Sequence, residues 1–287
     1  MNQSPVDSAI GASQGALIQQ DMNGYRDNLP PEIEHEIFVL AFYNDKKGRV
    51  NLLRVAKRMS EWLIPKLYEA MVIAREPHVQ PYPPIDSLER HGHHVRRLLA
   101  TFVPPPMTVH RLLSACPNAT DLALWHGPTT SSQVLHLPIT RLLIESHDFV
   151  GTNLWDLPKT LQIKQWCSNI THVVLATQVD VSDSLLNIPT LFPSLTHLMT
   201  FCWNEPPVVR RLLANCKQLE VFIWLWGRGR ADAPIYVVEG LDECPVDDRR
   251  IVTLNGSYVN DWIRGSRGED DLWILAEREI QNQKKAN

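Results

Sequence analysis

One short apolar phrase recurs six times along this chain, and it constrains the fold more than any other feature. Apolar residues occupy most of its first, fourth and sixth positions, and its copies begin at residues 95, 119, 139, 170, 195 and 219. Consecutive copies start 24, 20, 31, 25 and 24 residues apart. Such a period is typical of proteins that stack one short strand per repeat. Because one repeat cannot bury its own apolar face, the strands should stand side by side, and the pattern favours holding a partner over catalysis.

The phrase and its period resemble the leucine-rich repeats. The resemblance implies a solenoid over residues 76–264, with parallel strands joined by helical segments that all lie on one side. Apolar spacing indicates such segments at residues 108–115, 155–166, 184–191 and 207–215. The stretch RRIVTLNG predicts a seventh strand. Residues 265–287 are expected to form a C-terminal capping helix that seals the last strand, because EDDLWILAEREIQNQKKAN has an acidic start and a basic finish.

The chain changes character near its N-terminus. Residues 1–28 are polar and lack apolar periodicity, which is typical of a disordered segment. From Leu29 onward, two prolines that can open a helix are followed by a glutamate-rich turn. Ile33, Ile37 and Leu40 then fall on one helical face, and a second apolar period follows a polar break. We therefore expect a small helical module over residues 29–75.

This module resembles the F-box. The stretches LPPEIEHEIF and NLLRVAKRM, separated by a polar gap, match the family's Leu-Pro-x-Glu-Ile, Ile-Phe and Leu-x-x-Val-x-Lys-Arg pattern, although Met59 stands where the family often has Trp. F-box helices dock on the Skp-type adaptor of SCF ubiquitin ligases through their apolar residues. The resemblance thus implies adaptor binding by Leu29, Pro30, Ile33, Ile37, Phe38 and Val55. The same spacing also fits a helical layer that caps the first strand of the solenoid, and the two interpretations are compatible.

Alternation within each phrase predicts which way its side chains point. The first, fourth and sixth positions should face the interior, and the second, third and fifth should face the open side of the sheet. The second column is mostly threonine, the third is mostly charged residues and histidine, and the fifth is apolar throughout. A contiguous apolar stripe on an open face marks a binding surface or a surface that another segment covers.

We expect this open face to contact a protein partner or to be occupied by the chain's own tail. The predicted partner-binding residues are members of the apolar stripe and the polar side chains beside it: Leu99, Arg141, Leu143, His172, Val174, His197, Met199 and Ile223. A competing interpretation is that the strands are buried on both faces, as parallel strands commonly are.

Residues with possible metal or redox chemistry are better explained by the fold. Cys116, Cys167 and Cys216 each precede a phrase by three positions, which indicates a buried packing position. Five cysteines in scattered positions do not suggest a disulfide framework. The stretch RHGHHVRR is interpreted as a solvated loop, and the two glycines of WGRGRAD are too few for a dinucleotide site. No catalytic motif occurs, so the sequence predicts no enzyme, no cofactor and no bound metal.

The bulk properties narrow the expected setting. A formal net charge of −4 argues against a nucleic-acid partner, and neither a signal-peptide pattern nor an 18-residue apolar stretch occurs. We expect an α/β protein, cytoplasmic or nuclear and not bound to membranes. Its expected role is that of a substrate-receptor subunit of an SCF-type ubiquitin ligase, with the module binding the adaptor and the repeats binding a protein target. The alternative is a free-standing leucine-rich-repeat scaffold without a ligase.

Overall fold

The computed structural model describes most of the chain beyond residue 28. The described ranges are 29–44, 48–73, 85–101, 108–124, 134–145, 161–176, 188–201, 206–226, 236–237, 246, 248–265 and 268–286. The chain divides into two compact units, Met1–Ser60 and Glu61–Asn287. The segment predicted to be disordered, residues 1–28, lies outside these ranges.

The first unit is helical, as the sequence predicts. Helix α1 spans Pro31–Asn44, α2 spans Arg49–Leu52, and α3 spans Lys57–Tyr68, so the division between the units falls within α3. Phe42 and Met59 are the buried apolar residues of the unit, at 2% and 1% exposure. The guanidinium of Arg49 lies 4.9 Å from the centre of the Phe42 ring, and its Nε donates to the Phe42 carbonyl at 2.7 Å.

The described part of the second unit contains one sheet. Its strands are β1 (Ala70–Ile73), β2 (Arg97–Ala100), β3 (Asp121–Leu124), β4 (Arg141–Glu145), β5 (His172–Ala176), β6 (His197–Phe201), β7 (Val221–Trp226), β8 (Tyr236–Val237) and β9 (Ile251–Asn255). The spatial order is β1-β2-β3-β4-β5-β6-β7-β9-β8. Every neighbouring pair is parallel except β8 and β9, which are antiparallel. The predicted parallel α/β arrangement is confirmed, and each copy of the phrase contributes a strand that begins at its third position.

Helices connect the strands and cover one face of the sheet. The bounds are α4 (Ile85–His91), α5 (Val109–Ala115), α6 (Leu161–Ser168), α7 (Ile188–Leu191), α8 (Pro206–Asn215), α9 (Tyr258–Gly265) and α10 (Leu272–Ala286), with 3₁₀ turns at Gly92–His94 and Val134–His136. Helices α4 to α8 each add buried apolar side chains to a single core on this face. The four predicted connecting helices are confirmed where they are described, since parts of residues 155–166 and 184–191 lie outside the described ranges.

The predicted direction of the side chains is confirmed. The first and fourth positions of all six copies belong to the core beneath α4 to α8, from Val95 and Leu98 to Leu219 and Phe222. Cys116, Cys167 and Cys216 are buried free thiols in the same core. Burial raises the pKa of Cys116 to about 12 and those of Cys167 and Cys216 to about 11. Thiols that stay protonated at neutral pH are weak nucleophiles, which fits a packing role.

The threonine column ties successive strands together where the strands begin. The hydroxyl oxygens of Thr120 and Thr171 donate to the carbonyls of Arg96 and Thr140, at 3.2 Å and 3.3 Å. Each of those carbonyls also accepts two backbone N–H groups from the next strand, at 2.8 to 3.1 Å. Between neighbouring repeats, Gly92 approaches α5 so closely that a Cβ there would lie 2.2 Å from the Ala115 carbonyl oxygen. Only glycine fits at that position.

Two expected boundaries need correction. The expected helical module, residues 29–75, runs too far, because Ala70–Ile73 forms β1 and pairs with β2 in the sheet. The run AMVI after Tyr68 extends the helical period, which hid a short strand-forming segment. The expected capping helix is confirmed as α10, but it does more than seal the last strand, because it lies against the second face of the sheet together with α9.

Candidate functional site

The helical unit carries an exposed apolar face. Within α1, Ile33, Ile37 and Leu40 follow the i, i+4, i+7 spacing of one helical face. The exposed large apolar side chains of this unit have exposed fractions between 45% and 62%, and they are Leu29, Ile33, Ile37, Leu40, Val50 and Val55. Elsewhere in the described part of the chain, Ile274 alone among the large apolar side chains is exposed. Clustered exposure of this kind marks a site of interaction.

Most of the predicted adaptor-binding residues lie at this surface. Leu29, Pro30, Ile33, Ile37 and Val55 are exposed, and Phe38 is half-buried. Sequence reasoning did not assign Leu40 and Val50 to the site. The helical spacing that selected Ile33 and Ile37 also selects Leu40, whereas no periodicity singles out Val50.

The predicted partner-binding stripe is not an open surface, and that expectation is corrected. The fifth positions of the six copies are 3% exposed or less: Leu99, Ala123, Leu143, Val174, Met199 and Ile223. These side chains share one apolar core with Tyr258 of α9 and with Leu272, Trp273, Ala276 and Ile280 of α10. Of the two occupants that the sequence left open, the chain's own tail is the one that covers the stripe.

Polar side chains beside the stripe hold α10 in place. His172 and His197 stack with ring centres 4.1 Å apart, and both meet the Trp273 ring edge to face, at 5.2 Å and 5.6 Å. The Nε2 of His197 lies 3.0 Å from a carboxylate oxygen of Glu277. Arg141 donates to the Asp271 carboxylate at 3.1 Å. The three polar residues predicted to contact a partner therefore contact the C-terminal helix.

Alternating charges line the sheet beneath the start of α10. Arg97, Asp121 and Arg141 are register partners on β2, β3 and β4, and Arg97 lies 3.4 Å from the Asp121 carboxylate. Asp271 accepts the N–H of Ile274 at 3.0 Å and so caps α10. Asp261 of α9 accepts the N–H of Leu272 at 2.5 Å. Gly268, with φ at +73°, turns the chain between the two helices.

Burial shifts the pKa values of several of these groups. Desolvation lowers the pKa of His172 to about 3, with the neighbouring His197 and Arg141 acting in the same direction. Desolvation also lowers the pKa of His197, although Glu277 opposes the shift. Burial raises the pKa of Asp261 to about 8, and the nearby Asp271 adds to the shift. With Asp261 protonated, Asp121 and Asp271 balance Arg97 and Arg141, so the buried cluster is electrically neutral.

This buried cluster has little room for chemistry. The cavity that Arg141, His172, Asp261 and Trp273 help to line has a volume of about 20 Å³, which holds about one water molecule. No group of three or more His, Cys, Asp or Glu side chains in the described ranges is arranged to hold a metal ion. The arrangement therefore serves to anchor α10 on the sheet.

The histidines of RHGHHVRR lie apart from this cluster, in the turn before β2. His91 stacks on Tyr68 with ring centres 4.8 Å apart, and His93 lies 3.9 Å from His94. Partial burial lowers the pKa values of His91 and His94, with neighbouring histidines and arginines adding to the shift. Neutral rings that stack in this way are part of the local packing.

No protein-family model matches the chain, and no curated protein or solved structure matches it either. Among the helices that the structure describes, none has both the length and the apolar character needed to cross a membrane.

Proposed function

We propose that this protein is a substrate-receptor subunit of an SCF-type ubiquitin ligase. In this proposal the F-box-like segment docks on a Skp-type adaptor through the apolar face around Ile33 and Ile37. The leucine-rich-repeat-like sheet then carries the surface that selects a protein target for ubiquitin transfer by other subunits. The protein itself performs no chemistry.

The exposed apolar face of the helical unit carries the proposal. Its six large apolar side chains contrast with the rest of the described chain, where one such side chain is exposed. Exposing this surface to water costs about 25 cal/mol per Å² of apolar area relative to burying it. A partner that covers the face would recover that free energy, and five of the six residues suggested by the F-box resemblance lie on it.

The sheet supports the second half of the proposal. Its strands follow one another in chain order from β1 to β7, with connecting helices on one face, which fits a stack of repeats. The extended surfaces of such stacks commonly bind proteins. Because α9 and α10 cover the apolar stripe, target binding is assigned to surfaces outside it.

A pull-down with a purified Skp-type adaptor tests the first half. We expect the native chain to retain the adaptor, and we expect Ile37→Asp to abolish retention because it places a carboxylate on the docking face. Ile33→Asp should act in the same way. The matched control is Ile274→Asp, which makes the same change at an exposed apolar residue of α10, and it should leave retention unchanged.

Thermal unfolding of each variant separates binding from folding. Ile37 is 47% exposed, so its substitution should change the unfolding temperature little. If the folded native chain fails to retain the adaptor, or if Ile37→Asp and Ile274→Asp retain it equally, the ligase assignment is wrong. The free-standing repeat scaffold would then be the better account.

A further inference from the structure

An open crevice of about 730 Å³ lies where three separate segments of the second unit meet. One segment is the turn between α8 and β7, the second precedes β9, and the third is the end of α10. Six charged side chains line the crevice, and they are Lys217, Glu220, Asp248, Arg249, Arg250 and Lys284.

Two of these charges are used within the fold. Arg250 donates to both carboxylate oxygens of Asp248, at 2.9 Å and 2.7 Å. It also donates to the carbonyls of Leu213 and Cys216, at 3.1 Å and 3.2 Å, and so satisfies the C-terminal end of α8. The hydrogen bonds from Arg250 lower the pKa of Asp248, so that carboxylate stays ionised and paired. This pair builds the wall of the crevice.

The remaining charges leave an excess of positive charge. Lys217, Arg249 and Lys284 are all exposed, and none of them forms an ion pair with another described residue. Glu220 is the one carboxylate of the lining that faces them without a basic partner of its own. Three cations against one carboxylate stand out in a chain whose formal net charge is −4. Complementary charge speeds association and selects partners.

The shape and the floor of the crevice narrow the class of ligand. Sites for small molecules enclose most of the ligand surface, whereas here the charged side chains of the rim are exposed. An extended chain can lie across such an open crevice. The floor includes the aliphatic residues Leu219 and Ile280, at 3% and 5% exposure. No aromatic side chain belongs to the described lining, so nucleic-acid bases find no stacking platform there.

We infer that this crevice binds a peptide segment that carries carboxylate or phosphate groups. The segment lies across Leu219 and Ile280 with its anionic groups against Lys217, Arg249 and Lys284. Identifying the segment as part of a ubiquitination target rests on the proposed function, whereas the binding itself does not.

Fluorescence anisotropy with the full chain and labelled peptides of one length tests the inference. Three peptides differ only in carrying several phosphoserines, several glutamates or several glutamines at the same positions. We expect the two anionic peptides to bind and the glutamine peptide not to bind. The double variant Lys217→Glu/Lys284→Glu should weaken binding about tenfold or more, because it replaces two attractive contacts by repulsive ones. The matched control is Lys164→Glu/Lys285→Glu, which changes net charge equally at exposed positions outside the crevice.

Each result decides the question. Loss of binding in the crevice variant with retention in the control supports the inference, and circular dichroism checks that both variants are folded. Equal loss in both variants, binding of the glutamine peptide, or absence of any binding overturns it. Displacement of the peptides by inorganic phosphate at equal concentration of anionic groups would also overturn it, in favour of a site for a single free anion. Tighter binding of a single-stranded oligonucleotide through the same residues would overturn it as well. Because no adaptor is present, these outcomes are independent of the adaptor pull-down.

Discussion

Two apolar surfaces of this protein have opposite fates. The stripe on the second face of the sheet, from Leu99 to Ile223, is covered by α9 and α10. The face of the helical unit, around Ile37, remains exposed. The stripe is bordered by Arg141 and His197, which find Asp271 and Glu277 on the chain's own tail. Apolar spacing thus identifies a surface that needs a partner, and the polar groups beside it indicate whether that partner belongs to the same chain.

Removing α10 should make the sheet stripe resemble the exposed face, and we expect the largest effect here. Deleting residues 269–287 uncovers Leu143 and Met199 and removes buried Leu272, Trp273 and Ile280. Burying each large apolar side chain contributes about 1.5–3 kcal/mol, so the total loss is comparable with the ~5–15 kcal/mol that stabilises a typical domain. We expect low solubility and binding of a hydrophobic dye. A soluble truncated chain with an unchanged denaturation midpoint would contradict the anchoring role of α10.

One substitution placed on both surfaces sharpens the comparison. Leu143→Glu puts an unpaired carboxylate into a core where Leu143 is 0% exposed, and we expect a loss of about 3–5 kcal/mol or failure to fold. Ile37→Glu makes the same kind of change at a side chain that is 47% exposed, and the loss should stay within about 0.5 kcal/mol. Urea denaturation of the two variants measures both values. Similar losses would mean that the two surfaces do not differ in burial as the structure indicates.

Much of the sheet could be predicted from the sequence because its pattern is local and repeated. The third position of every phrase begins a strand, and the fifth position faces away from α4 to α8, as the alternation required. The buried cysteines followed from the same periodicity. The exposed face of α1 followed from the spacing of Ile33 and Ile37.

The rest depended on contacts between distant segments. Arg141 and Asp271 are far apart along the chain, and nothing in either segment states that they pair. Helix α9 was missed, and so was β1, whose residues extend the apolar period of α3. The crevice escaped notice for a similar reason, because Lys217, Arg249 and Lys284 come from three segments and form no sequence motif.

Acidification should weaken the covered stripe in a way that has no counterpart on the exposed face. The pKa of His172 is about 3 in the folded protein and about 6.5 in the unfolded chain, so the unfolded chain binds an extra proton between these values. The free energy of unfolding should therefore fall as the pH drops below about 6.5, by up to about 1.4 kcal/mol per pH unit for this residue. His172→Gln, which cannot take up that proton, should reduce this slope in urea titrations at several pH values.

The comparison between variant and wild type isolates His172 from a group that acts in the opposite direction. Asp261 has a pKa of about 8 in the folded protein and about 3.8 in the unfolded chain, so its contribution to stability is lost as the pH rises through that window. Asp261 is common to both chains, and the difference in slope therefore reports the histidine. His110→Gln, at an exposed position of α5, is the matched control and should keep the wild-type slope. An unchanged slope in His172→Gln would mean that His172 does not stay neutral beneath Trp273, and the polar anchor of α10 would have to be sought in the Arg141–Asp271 pair alone.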